Sequence, residues 1–273
     1  MLKTRVITAA VLAPLAFVLI FATSLQWFGI IFAALLLVGS WEFRRLGGLD
    51  RGFSGWLMFI IQALLFVLLV AYPDVVSEHA LALLTAACLL WLLMLLRLAV
   101  FRPEKAMDFQ YRAVSFACSL AALTFAWIAL YFLRAQAAGA WWILVLLLII
   151  WSADTGAYFA GRAWGKRKLA PRISPSKTIT GVIGGMVTAV LVSLIAVRLI
   201  PAIDAPPAPL VALALVTALI SVAGDLFISL HKRKSGHKDA GRIFPGHGGI
   251  LDRFDSLLTG APFFALGMLL MGL

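Results

Sequence analysis

Charged and polar side chains are concentrated in one stretch of an otherwise apolar chain, from Gly224 to Ser256. This stretch gathers carboxylates, cations, histidines and glycines between two segments that are apolar enough to enter a membrane. Polar groups at a membrane boundary are costly, so they indicate a functional site by default. Carboxylates beside Lys and Arg can bind a divalent cation and phosphate oxygens. The residue types therefore predict phosphate chemistry at a membrane surface.

Two aspartates mark the ends of this stretch. Asp225 ends the apolar segment before it, and Asp252 starts the apolar segment after it. If those segments are neighbouring antiparallel helices, the two carboxylates meet at one membrane face and repel unless a cation or proton lies between them. Mg²⁺ suits such a site because it takes few carboxylates together with water and phosphate oxygens. The alternative is a separate salt bridge for each aspartate. Asp255, on the same helical face as Asp252, would ligate the ion or orient a neighbouring cation.

The turn Pro245–Gly249 has unusual backbone freedom, because its glycines let the main chain approach a ligand closely. It leads into a helix, whose first free N–H groups suit a phosphate. His247 would then hydrogen-bond a phosphate or a metal-bound water. The alternative is a plain flexible connection. The candidates for neutralising phosphate charge are Lys232, Arg233, Lys238 and Arg253.

A second polar group begins with Asp154, which lies inside an apolar run and should face protein or a water-filled cavity. A strongly basic segment, Gly165–Lys177, follows that run. In this segment and just after it, Ser174, Lys177 and Thr178 are candidates for holding phosphate at the start of the next helix. Lys166 is a further candidate for binding substrate. The alternative for the basic residues is the positive charge that collects on the cytoplasmic side of membrane proteins.

The order Ser229, Lys232-Arg233, Lys238-Asp239, then Pro245-Gly-His-Gly-Gly-Ile-Leu-Asp-Arg-Phe-Asp255, resembles the signature of phosphatidate cytidylyltransferases, also called CDP-diacylglycerol synthases. The Ser174-Pro-Ser-Lys-Thr178 run resembles a second segment of that family. Two positions depart from the family: His231 stands where an apolar residue is usual, and Thr180 where a longer polar side chain is frequent.

The resemblance implies transfer of a cytidylyl group from CTP to phosphatidate, giving CDP-diacylglycerol and diphosphate with Mg²⁺, a second cation being left open. It implies metal ligation by Asp225 and Asp252. The implied catalytic residues are Asp225, Lys238, Asp252, Arg253 and Asp255. The implied substrate-binding residues are Asp154, Lys166, Ser174, Lys177, Thr178, Ser229, Lys232, Arg233, Asp239, His247, Gly248 and Gly249.

Two other functions are consistent with parts of this pattern. A CTP-dependent polyprenol or phytol kinase would share some of the architecture, but the full Lys-Asp to Asp-Arg-x-Asp string argues against it. An ion-coupled transporter would use Asp154 and Asp225 as ion sites, yet the chain lacks the paired interrupted spans typical of many transporters. Release of diphosphate from CTP would separate the enzyme from the transporter.

Composition defines the class of protein. The 273 residues are 63% hydrophobic and 13% charged, whereas soluble domains carry about 25% charged residues. The chain is therefore expected to be an integral membrane protein. Its net charge of +11 is attributed to cytoplasmic loops rather than to nucleic-acid binding. Cys88 and Cys118 lie in apolar runs and are expected to be packing residues rather than a disulfide or metal pair.

A membrane span needs roughly 20 apolar residues, and the hydropathy pattern predicts an all-α protein with about nine such spans. The spans are two between Val6 and Trp41, Gly55–Tyr72, about Leu81–Leu96, Ala113–Leu133, Ala140 to about Gly161, Thr178–Val197, Ala208 to about Gly224, and Ser256–Leu273. Gly181 and Gly185, four residues apart, predict close helix packing.

With the N-terminus in the cytoplasm, all of the 23 Lys and Arg residues except Arg134 and Arg198 fall on the cytoplasmic side. We therefore expect a multi-pass protein of the cytoplasmic (inner) membrane, with the active site facing the cytoplasm. Residues 1–135 are predicted to be a transmembrane scaffold of five spans. Residues 136–273 are predicted to be the catalytic region, with cytoplasmic loops 162–177 and 231–255. A homodimer is left open.

Overall fold

The computed structural model describes residues 2–50, 52–99, 107–244, 246 and 248–273. Within these residues the chain forms ten helices and two short strands. The helices are α1 (Leu2–Phe21), α2 (Leu25–Leu46), α3 (Phe53–Ala71), α4 (Asp74–Glu78), α5 (Ala80–Ala99), α6 (Phe109–Ala135), α7 (Gly139–Trp164), α8 (Ile179–Leu199), α9 (Pro207–Lys234) and α10 (Leu251–Met271). The strands are β1 (Lys168–Ala170) and β2 (Ser174–Thr178).

The polytopic helical fold predicted from hydropathy is confirmed. Eight of the described helices are long and apolar enough to cross a membrane, and α1 contributes a shorter apolar stretch, Ala10–Phe21. Eight of the nine predicted spans each correspond to one of these helices, and the first corresponds to α1. Side chains at the ends of α2, α5, α7 and α9 contact the beginnings of α3, α6, α8 and α10. Successive long helices therefore run in opposite directions, and these ends meet at one end of the bundle. We call this the charged end of the bundle, because the polar stretches described above lie there.

Several boundaries differ from the prediction at the charged end, and α2 already continues to Leu46 instead of ending at Trp41. Helix α9 continues through His231–Lys234, and α10 begins at Leu251 rather than Ser256. The last turn of α9 is closed by Gly236, whose φ of 70° lies in the left-handed region. Its N–H donates to the Arg233 carbonyl, and the His237 N–H donates to the Lys232 carbonyl. Glycine is the usual residue at this position after a helix. The start of the signature therefore sits on a rigid helix.

The segment predicted as a cytoplasmic loop after α7 contains an antiparallel hairpin of β1 and β2, with Lys168 opposite Thr178 and Ala170 opposite Ser174. An apolar contact explains its position. Ile173, at the tip, is buried in a small cluster with Leu226 and Leu230 of α9. Because the tip is fixed on α9, the following Lys177 has a defined place at the charged end.

Small residues bring α7 and α8 close together. A Cβ added to Gly185 would lie 2.6 Å from the Ala153 carbonyl oxygen, and one on Gly181 would lie 2.9 Å from the Ala157 carbonyl oxygen. Thr188 also donates a 2.8 Å hydrogen bond to the Ser152 carbonyl. The close packing predicted from the Gly181–Gly185 spacing is confirmed. This contact fixes the hairpin, which connects the two helices, relative to α7.

Cys88 and Cys118 are both buried, as predicted for packing residues.

Arg134, one of the two cations outside the predicted cytoplasmic segments, has a role at the other end of the bundle. It donates to the carbonyls of Ile20 at 3.0 Å and Thr23 at 2.9 Å. Carbonyls at a helix C-terminus lack intrahelical donors. Arg134 therefore satisfies the end of α1 rather than contributing to a site.

Candidate active site

Asp225 lies near the charged end of α9, where it pairs with a cation from the hairpin. Its Oδ2 is 2.6 Å from Nζ of Lys177, and both side chains are partly exposed. Its Oδ1 accepts a 3.1 Å hydrogen bond from the Ser229 hydroxyl one turn later. Lys177 also lies 3.5 Å from the Val222 carbonyl oxygen. Lys177 and Ser229, both predicted to bind substrate, therefore contact Asp225, a predicted metal ligand.

Asp252 occupies the first turn of α10 and is more enclosed. Its Oδ1 is 2.8 Å from Nζ of Lys232, and the two side chains are 6% and 13% exposed. Its Oδ2 accepts from the backbone N–H groups of Ala240 at 2.7 Å and Gly249 at 2.9 Å. A methyl group on Gly248, whose φ is 79°, would collide with this carboxylate. We call residues 235–250, between α9 and α10, the signature loop. Asp252 thus fixes this loop through two backbone amides and holds Lys232 next to it.

Two more carboxylates face the same region. Asp255 of α10 interacts electrostatically with Asp225, Lys232 and Asp154, and its Oδ1 accepts from the Ser256 N–H at 2.8 Å. Asp154 of α7 interacts with Lys177, Asp225 and Arg253. The side chain that the sequence placed inside an apolar run therefore faces the other charged groups. Like charges brought together in this way favour cations between or beside them.

A cavity of about 430 Å³ opens beside this group. It lies against α7, α8, α9 and the hairpin. Its lining consists of Asp154, Ala157, Tyr158, Gly161, Arg162, Lys168, Ser176, Lys177, Thr178, Gly181, Val182 and Val222. Its lining includes three cations and one carboxylate, so it can accommodate an anionic group.

The carboxylates meet the needs of Mg²⁺ to different degrees. A carboxylate has about four acceptor positions. Asp225 uses two of them for Lys177 and Ser229, whereas Asp252 uses three for Lys232 and two N–H groups. Across the described residues, no group of three or more His, Cys, Asp or Glu side chains is arranged to hold an ion. One or two carboxylates completed by water and substrate phosphate are compatible with Mg²⁺.

Asp225 and Asp252 form ion pairs with different lysines, the arrangement considered above as the alternative to a shared ion. Sharing of one ion stays a prediction.

The remaining predicted residues lie around this centre. Thr178 is buried, and its hydroxyl accepts from the Gly181 N–H at the start of α8. Arg233 donates to the Ile173 carbonyl at 3.1 Å and so fastens the hairpin tip. Ser174 lies in β2 and is partly buried. Exposed positions at the charged end are taken by Lys166, Lys238, Asp239 and Arg253. His247 and Pro245 lie outside the described residues.

His231, the departure from the family pattern, is fully buried. Its ring lies beside Phe43, Tyr111 and Phe227, and its Nδ1 is 2.9 Å from the Phe227 carbonyl oxygen. The side chain points into the bundle and away from Lys232. His231 therefore takes the packing position of the usual apolar residue, and the lysine and arginine after it keep their places at the site.

Several residues near the site had no signal in a sequence motif. Arg162 and Tyr158 line the cavity and share a 2.9 Å hydrogen bond. Glu42 and Arg45 of α2 contact the signature loop from the first half of the chain. Both residues lie after Trp41, the predicted end of the second span, where no motif marks them. Their partners are backbone atoms far along the chain, which no local pattern identifies.

Comparison with known proteins identifies the family. A model of the cytidylyltransferase family matches residues 3–271. The phosphatidate cytidylyltransferase of Pseudomonas aeruginosa is 37% identical over 97% of this chain and 96% of its own length. That of Haemophilus influenzae is 33% identical over 97% of this chain and 98% of its own, and that of Bacillus subtilis is 46% identical over 46% of each chain. The match spans the apolar first half as well as the signature, and the chain belongs to the cytidylyltransferase family.

Proposed function

We propose that this protein is a phosphatidate cytidylyltransferase, which joins CTP and phosphatidate to give CDP-diacylglycerol and diphosphate. The observation that carries the proposal is the pairing of Asp225 with Lys177, which lines the cavity, together with the pairing of Asp252 with Lys232. The full-length relatives bear the same activity in their names. A cavity lined by cations at the charged end of a bundle of apolar helices suits a reaction between a lipid phosphate and a water-soluble nucleotide.

In the proposed reaction a phosphate oxygen of phosphatidate attacks the α-phosphorus of CTP. The new P–O bond forms as the bond from that phosphorus to the oxygen bridging the β-phosphate breaks, and diphosphate leaves with the bonding electrons. The attacking phosphate is already ionised near neutral pH, so no general base is required. What the protein must supply is alignment and stabilisation of the negative charge on the reacting phosphates.

The charged end holds the groups for that task. Lys177 and Lys232 are held by Asp225 and Asp252, so their ammonium groups have fixed positions before substrate arrives. Exposed Arg253 lies one residue from Asp252 and can reach a phosphate from the start of α10. We propose that Asp225 and Asp252 hold Mg²⁺, which would supply further positive charge to the phosphates. Asp255, on the same face, completes the acidic side of the site.

Purified protein incubated with radiolabelled CTP and phosphatidate tests this function. We expect labelled CDP-diacylglycerol and diphosphate in equal amounts, loss of activity with EDTA, and recovery with Mg²⁺. A CTP-dependent lipid kinase would instead release CDP and leave no cytidine in the lipid. Absence of any CTP turnover, in protein that remains folded in detergent, would contradict the proposal.

Lys238 is exposed and has no ion-pair partner in the described part of the chain, so it is available to the triphosphate. Replacing it with glutamine is expected to raise KM for CTP by about 10- to 150-fold, since one charge-assisted phosphate contact is worth about 1.5–3 kcal/mol. Steady-state kinetics with varied CTP would measure this. Arg242→Gln, at another exposed cation of the same loop, is the matched control. Equal kinetics for both variants would return Lys238 to the residues that only set topology.

We further propose that the charged end faces the cytoplasm, which the distribution of Lys and Arg supports. Single cysteines at Arg172 and Ser235 are expected to react with an impermeant thiol reagent only in inside-out vesicles. A cysteine at Ala202, between α8 and α9 at the other end, should react only in right-side-out vesicles. The native Cys88 and Cys118 are buried, which keeps the background low. Labelling of the first two positions from the outside would reverse the orientation.

A further inference from the structure

A carboxylate from the first half of the chain lies under the signature loop. Glu42, in the last turns of α2, is 6% exposed. Its Oε1 accepts from the Ile250 N–H at 3.1 Å, and its Oε2 accepts from the Leu251 N–H at 2.9 Å. These two amides are at the beginning of α10, where N–H groups have no intrahelical acceptor and carry partial positive charge. Glu42 therefore binds the N-terminus of the helix that carries Asp252.

The loop is shaped around this carboxylate. A Cβ added to Gly249 or to Gly241 would collide with the Glu42 carboxylate. Neither glycine has a positive φ, so no left-handed backbone requires glycine at these positions. The requirement comes from the close approach of Glu42. These two glycines thus have a use that the sequence pattern alone did not indicate.

Arg45, one turn after Glu42 in α2, contacts the first part of the same loop. Its guanidinium donates to the Ala240 carbonyl at 2.8 Å and is 3.4 Å from the Asp239 carbonyl oxygen. The amide of Ala240 in turn donates to Oδ2 of Asp252. The Gly249 amide, the other donor to Oδ2, belongs to the residue directly before the pair held by Glu42. Both backbone donors that fix Asp252 are therefore anchored on α2.

We propose that Glu42, supported by Arg45, is a positioning residue that fixes the signature loop and the start of α10, and thereby the direction of the Asp252 carboxylate. Glu42 does not touch the reacting groups. It acts through the backbone amides of Ile250 and Leu251 and through contact with Gly249. The proposal rests on the function proposed above for its effect on rate, whereas its structural part is independent of turnover.

Two measurements on Glu42→Ala test it. Hydrogen–deuterium exchange of the detergent-solubilised protein reports on the backbone without substrate. Peptides covering residues 240–252 are expected to exchange at least about tenfold faster than in wild type, because two amides lose their acceptor. Cytidylyltransfer kinetics should show kcat lowered roughly 10–100-fold with little change in KM for CTP, as expected when a reacting constellation is displaced by about 1 Å.

Asp108→Ala is the matched control. Asp108 is also a carboxylate at a helix N-terminus, accepting from the Tyr111 N–H at 2.8 Å, but it serves α6 rather than the signature loop. It should leave exchange in residues 240–252 and kcat close to wild type. Faster exchange spread evenly over the chain in Glu42→Ala, or a wild-type kcat in that variant, would overturn the positioning role.

Gly249→Ala provides a second route if Glu42→Ala does not fold. The added methyl group should reproduce the local rise in exchange and the fall in kcat by pushing against the Glu42 carboxylate. Where both single variants fold, the double variant should lose no more activity than Glu42→Ala, because the colliding partner is gone. If the fold-losses in activity of the two single variants multiply in the double variant, the proposed contact between Glu42 and Gly249 is contradicted. Glu42→Gln, which keeps one acceptor oxygen, should fall between wild type and Glu42→Ala in both measurements.

These readings separate the two proposals. If wild-type protein makes no CDP-diacylglycerol, the proposed function fails, but local exchange in residues 240–252 still decides whether Glu42 holds the loop. If wild type is active and Glu42→Ala keeps both its protection and its kcat, the positioning role fails and the proposed function stands.

Discussion

Asp225→Asn is expected to lower kcat/KM for CTP by about 10²–10³-fold, the loss typical when one preorganised electrostatic contact to a reacting group is removed. The change keeps the size of the side chain and its ability to accept from Ser229, but removes the negative charge that holds Lys177. It also removes a proposed ligand of Mg²⁺. The radiolabelled CTP assay at saturating phosphatidate measures the effect. Asp204→Asn, an exposed aspartate between α8 and α9, is the control and should remain fully active.

Combining this change with Asp252→Asn tests whether the two aspartates act on one ion. If they share it, the double variant should lose little more than either single variant, because groups that work as a unit are not additive. If each aspartate acts only through its own lysine, the losses in free energy should add. Near wild-type activity in Asp225→Asn, with protein as stable as the control, would remove Asp225 from the site altogether.

Lys177→Met is expected to have an effect of similar size, a loss of about 10²–10³-fold in kcat/KM. The methionine keeps most of the apolar stem of lysine but has no ammonium group to neutralise phosphate or to pair with Asp225. It also leaves the Asp225 carboxylate without its cation, so the double variant Lys177→Met/Asp225→Asn should be less than additive. Steady-state kinetics with both substrates varied would separate binding from turnover.

Arg172→Gln is the control for Lys177, since it removes an exposed cation from the same hairpin. Its activity should equal that of wild type. If Lys177→Met and Arg172→Gln lose activity equally, the hairpin would act only through its overall charge, and the specific contact with Asp225 would have no role in the reaction.

The membrane spans were accessible from the sequence, because the thickness of a bilayer imposes a minimum length on every apolar helix. The ends of those helices were less accessible. The last turn of α9 carries His231, Lys232, Arg233 and Lys234, and charge of this density was assigned to a loop. Helical hydrogen bonding and the turn at Gly236 determine where the helix ends, whereas hydropathy reports only the transfer of side chains into lipid.

The site was predictable in its residue types and much less in its pairings. The polar stretch made Asp225, Asp252 and Lys232 candidates, and the basic segment after α7 made Lys177 a candidate. That Lys177 rests on Asp225 depends on the hairpin, whose position comes from burial of Ile173 against α9. Glu42 was outside the reach of sequence reasoning, since its partners are main-chain amides, which every residue except proline possesses.

The seam of small residues between α7 and α8 affects which substitutions the chain can tolerate. Within lipid the hydrophobic effect does not drive helices together, so this pair is held by van der Waals contact between closely packed surfaces. Gly156 and Gly184 lie in that seam without facing the charged groups, yet a side chain at either would separate the helices from which the hairpin extends. Natural variation should therefore be as restricted along this line of the membrane interior as it is among the aspartates, while the outward positions Ile183, Val187 and Leu191 drift freely among apolar residues.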